Sequence, residues 1–180
     1  ETGNFSMKWG MMAESLGLVI EHLPGDWRHG IDPDAVEGHL RDDDEGRIKA
    51  VLMIHVDTAS GIVSDVPAVR RAIDNANHGA LFMVDTIASL ATVEFRMDEW
   101  GVDVSLAASQ KGLMCPPGIG FTACHPKCQS AAQLLGLAGT YDGCPVHPVL
   151  RHGADPYAVR PARGVGHAGR GRPARDHRPP

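Results

Sequence analysis

Four apolar runs divide this chain: Ile48 to His55, Ala80 to Val84, Val102 to Ala107 and Ile119 to Ala123. Runs that stay apolar at successive positions, without in–out alternation, are strands covered on both faces, and that is the mark of a parallel sheet. Between them lie helical patterns. Phe5 to Leu16 has apolar residues at helical spacing and Gly17 to end it. Asp32-Pro33 is an N-cap and first-turn pair for a helix through Leu40. Ser64-Asp65 opens another helix that runs to about Ala76 with Val66, Val69 and Ile73 on one face. Leu18-Val19-Ile20 is predicted as a further short strand. The expected fold class is therefore α/β, a mostly parallel sheet with flanking helices.

Ligands of such sheets bind beyond the carboxyl ends of the strands. His55, Asp85 and Ser109-Gln110-Lys111 all stand at such ends. Lys111 is the most telling. It follows a buried strand and precedes a Pro116-Pro117-Gly118 bend, a position where desolvation favours the neutral, nucleophilic amine. A neutral amine forms a Schiff base with an aldehyde. Asp85, at the end of a second strand, is placed to face a pyridinium nitrogen. Together they are the minimal apparatus for holding pyridoxal 5'-phosphate.

The remaining sequence bounds the reading. Net charge is -5 and aromatic residues make up 5%, so neither a phosphate-backbone binder nor a base-stacking platform is expected, and no nucleic-acid partner. No apolar run approaches the roughly 20 residues of a membrane span, and no secretory signal opens the chain, which begins on Glu1 as if in the middle of a longer text. Cys124, Cys128, Cys144 and His147 loosely imitate a zinc site. Ordinary reduced cysteines of a cytoplasmic protein, with Cys124 in the core, are the reading adopted, and no metal is expected. Charge divides the chain at about residue 127. Residues 1–127 are acidic. Residues 128–180 hold neither lysine nor glutamate, and from Arg151 onward are dominated by Arg, Gly, Pro, Ala and His. Such a composition predicts a disordered tail, so two segments are expected, 1–127 and 128–180.

Several motifs occur in an informative order. They are His55-Val56-Asp57-Thr58-Ala59-Ser60-Gly61, Val84-Asp85-Thr86-Ile87-Ala88-Ser89-Leu90, Asp98-Glu99-Trp100-Gly101-Val102-Asp103 and Ser109 to Gly118. Over about residues 3–127 the chain resembles the class V aminotransferases of the pyridoxal-phosphate fold-type-I superfamily, most of all the serine–glyoxylate and alanine–glyoxylate group. The resemblance implies that residues 1–127 are part of the family's large, cofactor-binding domain. It implies Lys111 as the Schiff-base lysine and proton carrier, Asp85 as partner of the pyridine nitrogen, and Ile87 as the apolar residue against the ring. Thr58 would bond the ring's 3-oxygen, and Gln110 would lie near the phosphate. Cysteine desulfurases carry histidine directly before the lysine; Gln110 favours the glyoxylate group. Implied substrates are a small amino acid, serine or alanine, and a 2-oxo acid, glyoxylate. The full-length family implies a homodimer. The family's phosphate-binding turn and ring-stacking aromatic are expected upstream of Glu1, and its carboxylate-binding arginine in a C-terminal domain. The chain alone is accordingly expected to be an incomplete, inactive fragment. Another class V enzyme, such as a desulfurase or lyase, or a non-catalytic remnant with a binding tail, is the alternative.

Overall fold

The computed structural model describes residues 1–126 and 128. Its centre is a four-stranded sheet of β1 (Ala50–Ile54), β4 (Leu81–Asp85), β5 (Val104–Ala108) and β6 (Gly120–Cys124), in the order β1-β4-β5-β6. β1, β4 and β5 are mutually parallel, with Ile54 opposite Asp85 and Asp85 opposite Leu106. The sheet is thus mostly parallel, with flanking helices, as the apolar runs imply. β6 is antiparallel to β5. Residues 109–119 join them as a loop without a helix, and a parallel partner needs a longer crossover, usually helical. A small hairpin, β2 (Val56–Asp57) with β3 (Ile62–Val63), follows β1.

Helices α1 (Asn4–Ser15), α2 (Pro33–Arg41) and α3 (Val66–Asn75) form where capping and periodicity place them. The Asp32 carboxylate accepts the Asp34 N–H at 3.0 Å, and that of Asp65 accepts the Ala68 N–H at 2.9 Å, each with proline in the first turn. Gly17 ends α1 with φ 86°, a left-handed conformation that glycine adopts without strain. Val36 and Leu40 of α2 meet Val66, Val69 and Ile73 of α3 over Met53, Phe82 and Val84 of the sheet. Phe82 and Val84 are fully buried while Leu81, Met83 and Asp85 are only half-buried, so this core lies on one face.

Two expectations fail. Leu18-Val19-Ile20 forms no strand; Leu18 and Val19 are exposed. Apolar residues supply strand propensity, but a strand needs a partner, and this segment pairs with no edge of the sheet. Cys124 is half-buried, because β6 is an edge strand with Thr122 and Ala123 exposed beside it. Cys144, His147 and the tail expected to be disordered lie outside the described residues. Among the described residues, no helix is long and apolar enough to cross a membrane.

Candidate active site

Three adjacent strands deliver their C-terminal residues to one edge of the sheet, with β4 in the middle. The ladder continues one step past β1, where the His55 N–H donates to the Asp85 carbonyl at 3.0 Å. On the other side, the Thr86 N–H donates to the Leu106 carbonyl at 2.8 Å, and the Thr86 hydroxyl donates to the same oxygen at 2.7 Å. Asp85 is thus pinned from both neighbours. Its Oδ1 accepts the Ile87 N–H at 2.7 Å. Burial raises its carboxyl above the ordinary aspartate range; the Ile87 bond works against this and the nearby charge of Asp57 adds to it. No lysine or arginine pairs with it among the described residues.

The turn after β5 is built on Ser109, which is 1% exposed. The Ser109 hydroxyl donates to the Pro116 carbonyl at 2.7 Å, and the backbone N–H groups of Ser109 and Cys115 donate to the Ile119 and Ser109 carbonyls. This closes the loop that carries Gln110 and Lys111. Gly112 brings it against the turn after β4: a Cβ there would lie 2.2 Å from the Leu90 carbonyl oxygen. Gly112→Ala must therefore push the two turns apart. We expect a loss of about 1–3 kcal/mol in urea unfolding, the usual cost of overpacking; an unchanged midpoint would mean the turns are not held in register by this contact.

Lys111 and Gln110 are exposed. The desolvation expected of a lysine following a buried strand is therefore not met by these residues. The strand ends at Ala108, and Ser109 is the last residue covered before the loop turns outward. Thr58 is exposed and Ile87 half-buried. The geometry joins Asp85 to Ile87 directly, brings the Lys111 turn onto residues 90–92, and sets Thr58 next to Asp57, whose charge reaches Asp85.

Asp57 was read in the sequence only as part of a motif. It is fully buried, and its carboxylate accepts the Phe5, Ser6 and Ala59 N–H groups at 3.1, 3.4 and 3.0 Å. Asp57 thereby caps α1 across 52 residues of sequence, and Gly3 makes room for it. The N-terminus of α1 is thus filled by this carboxylate, and Phe5, 42% exposed, is held at the same edge. No local signal announces a cap so remote in sequence. A groove of about 450 Å³, lined by Arg70, Arg71, Asp74, Trp100 and Asp103 among others, opens at the amino end of β5, away from this edge.

The model of the family described as "Aminotransferase class-V" matches residues 2–147. The chain belongs to the class-V aminotransferase family. The match takes in the 3–127 span of the motifs and continues beyond it. This class-V chain is 41% identical over 139 residues to an L-aspartate–glyoxylate aminotransferase of Paracoccus denitrificans, covering 77% of the chain and 35% of that protein. It is 43% identical over 140 residues to a serine–glyoxylate aminotransferase of Methylorubrum extorquens, covering 78% and 34%. Among solved structures, an aspartate aminotransferase from Thermus thermophilus superposes with TM-score 0.61 at 33% identity, over 71% of this chain and 34% of that one. The class-V chain therefore spans about a third of the length of the curated relatives it matches.

Proposed function

We propose that this edge of the sheet is a pyridoxal 5'-phosphate site serving transfer of an amino group from a small amino acid, serine or alanine, to glyoxylate. The observation that carries the reading is Asp85: a partly buried carboxyl between two other strand ends, without a cationic partner among the described residues. Such a group suits a protonated ring nitrogen, whose charge would bring the carboxyl back to its ionised form. Lys111 is the residue that would hold the cofactor covalently through Nζ. Ile87 would lie against the ring, Thr58 would donate to its 3-oxygen, and Gln110 would serve the phosphate. The cofactor, when bound, supplies an electron sink for the α-carbon of the amino acid. Lys111 would serve as the base that moves the α-proton in each half of the exchange. The Asp85 carboxylate, held by Ile87 and the two ladders, would keep the ring nitrogen protonated.

Support for glyoxylate as acceptor comes from the relatives. The two bacterial proteins above name different amino donors, aspartate and serine, but share glyoxylate. The test is spectroscopic. In a complete class-V context, bound cofactor should change its absorbance on addition of serine or alanine and recover it on addition of glyoxylate. Release of sulfide from cysteine, without that reversible exchange, would move the reading to a desulfurase.

A further inference from the structure

His55 is buried, 3% exposed, and does not belong to the set of residues just assigned to the cofactor. Its Nδ1 lies 3.0 Å from the Ser89 hydroxyl, itself fully buried. The imidazole is boxed by Phe95, with ring centroids 5.8 Å apart, and by Trp100, edge-on at 6.1 Å. Burial lowers its pKa, so at neutral pH it is an uncharged hydrogen-bonding ring. Its backbone N–H holds the Asp85 carbonyl at 3.0 Å. His55 therefore grips the segment after β4 at two points four residues apart, Asp85 by the main chain and Ser89 by the side chain.

What lies between those points is the turn that aims Asp85. The Ser89 and Leu90 N–H groups donate to the Thr86 carbonyl at 3.1 and 2.8 Å, closing the turn over Ile87. The Ile87 N–H is the donor to Asp85 Oδ1. Thr86 cannot move with a loosened turn, because it is bonded to Leu106 and its hydroxyl lies 3.2 Å from that of Ser105. Any slack introduced at Ser89 is thus taken up at residues 87–88.

The geometry points to His55 and Ser89 as a pair of positioning residues that fix the Ile87 N–H on Asp85, and so set where the carboxyl faces and how readily it ionises. The inference rests on the reading of Asp85 as partner of the ring nitrogen, but its first test does not need the cofactor.

That test is amide hydrogen exchange on the 180-residue chain without cofactor, for His55→Phe, His55→Asn, Ser89→Ala and the double variant His55→Phe/Ser89→Ala. His55→Phe keeps an aromatic ring in the box and removes the polar atom. His55→Asn keeps a polar atom near the place of Nδ1. Loss of one hydrogen bond corresponds to about a five- to tenfold change. Exchange at Ile87 should quicken by about that factor in His55→Phe and in Ser89→Ala, and no further in the double variant. His55→Asn should restore most of the protection. The amide of Ile73, in the core of α3, serves as control and should not change. In the second arm, pyridoxal phosphate affinity should weaken by a similar factor in the same variants, with a shifted pH midpoint of the bound absorbance. Unchanged exchange at Ile87, multiplying effects in the double variant, or equal quickening at Ile73 would each overturn the inference. If His55→Phe does not fold, Ser89→Ala decides alone. Failure of every variant and of the parent chain to bind cofactor would count against the proposed function and leave the exchange result to decide the role of His55.

Discussion

In a complete class-V context, replacing Lys111 by arginine is expected to abolish turnover and covalent capture of pyridoxal phosphate together. A guanidinium stays protonated at any pH the protein survives and offers no free amine to the aldehyde. It also cannot carry the α-proton, a function worth about a hundredfold to ten-thousandfold in rate. The fold should be untouched, because Lys111 is exposed and the loop around it is closed by Ser109, Cys115 and Pro116. Borohydride reduction of the parent protein with cofactor in that complete context, followed by peptide mapping, should place the label on Lys111. Label on Lys49 or Lys127 would overturn the assignment. Capture at full level by Lys111→Arg would do the same.

Asp85→Asn is expected to separate stability from function. Cofactor affinity should fall by the cost of removing one partner from a partly buried charge pair, about 2–5 kcal/mol. Stability of the cofactor-free chain should move the other way. The folded-state pKa of Asp85 is raised by burial, so its proton is held more tightly in the folded chain than in the unfolded one. The stability this gives is fully present below the ordinary aspartate range and is lost as pH rises through the raised folded value. At neutral pH the ionised carboxyl is therefore a cost that asparagine removes. The variant should unfold at higher urea than the parent near neutrality, and the difference should vanish in acid, where Asp85 is protonated in both states. A variant less stable than the parent at neutral pH would show that Asp85 is already paired without cofactor.

The strands and the points where they end were legible in the sequence because each depends on local chemistry. β4 reads as an apolar run closed by Asp85, and α2 and α3 begin where aspartate and proline stand together, since capping and backbone restriction act within four residues. The motif order from His55 to Gly118 carried the family for the same reason: each motif lies within one strand end and its turn. Leu18-Val19-Ile20 shows the limit of that reasoning. The same residue types make a strand at β1 and an exposed segment here, because pairing is not a local property.

By itself, then, the sequence determined the α/β class, the helix starts and the strand ends that offer Asp85 and Lys111. Only the tertiary structure decided that Lys111 is exposed, that Asp57 caps α1 from 52 residues away, and that His55 reaches Ser89 through a buried hydrogen bond. The physical reason is range. Propensity, capping and turn chemistry are settled by neighbours in the chain. Desolvation and the partner of a buried polar group are settled by whatever packing brings near, and a buried carboxylate or imidazole must find its partner wherever the fold supplies one.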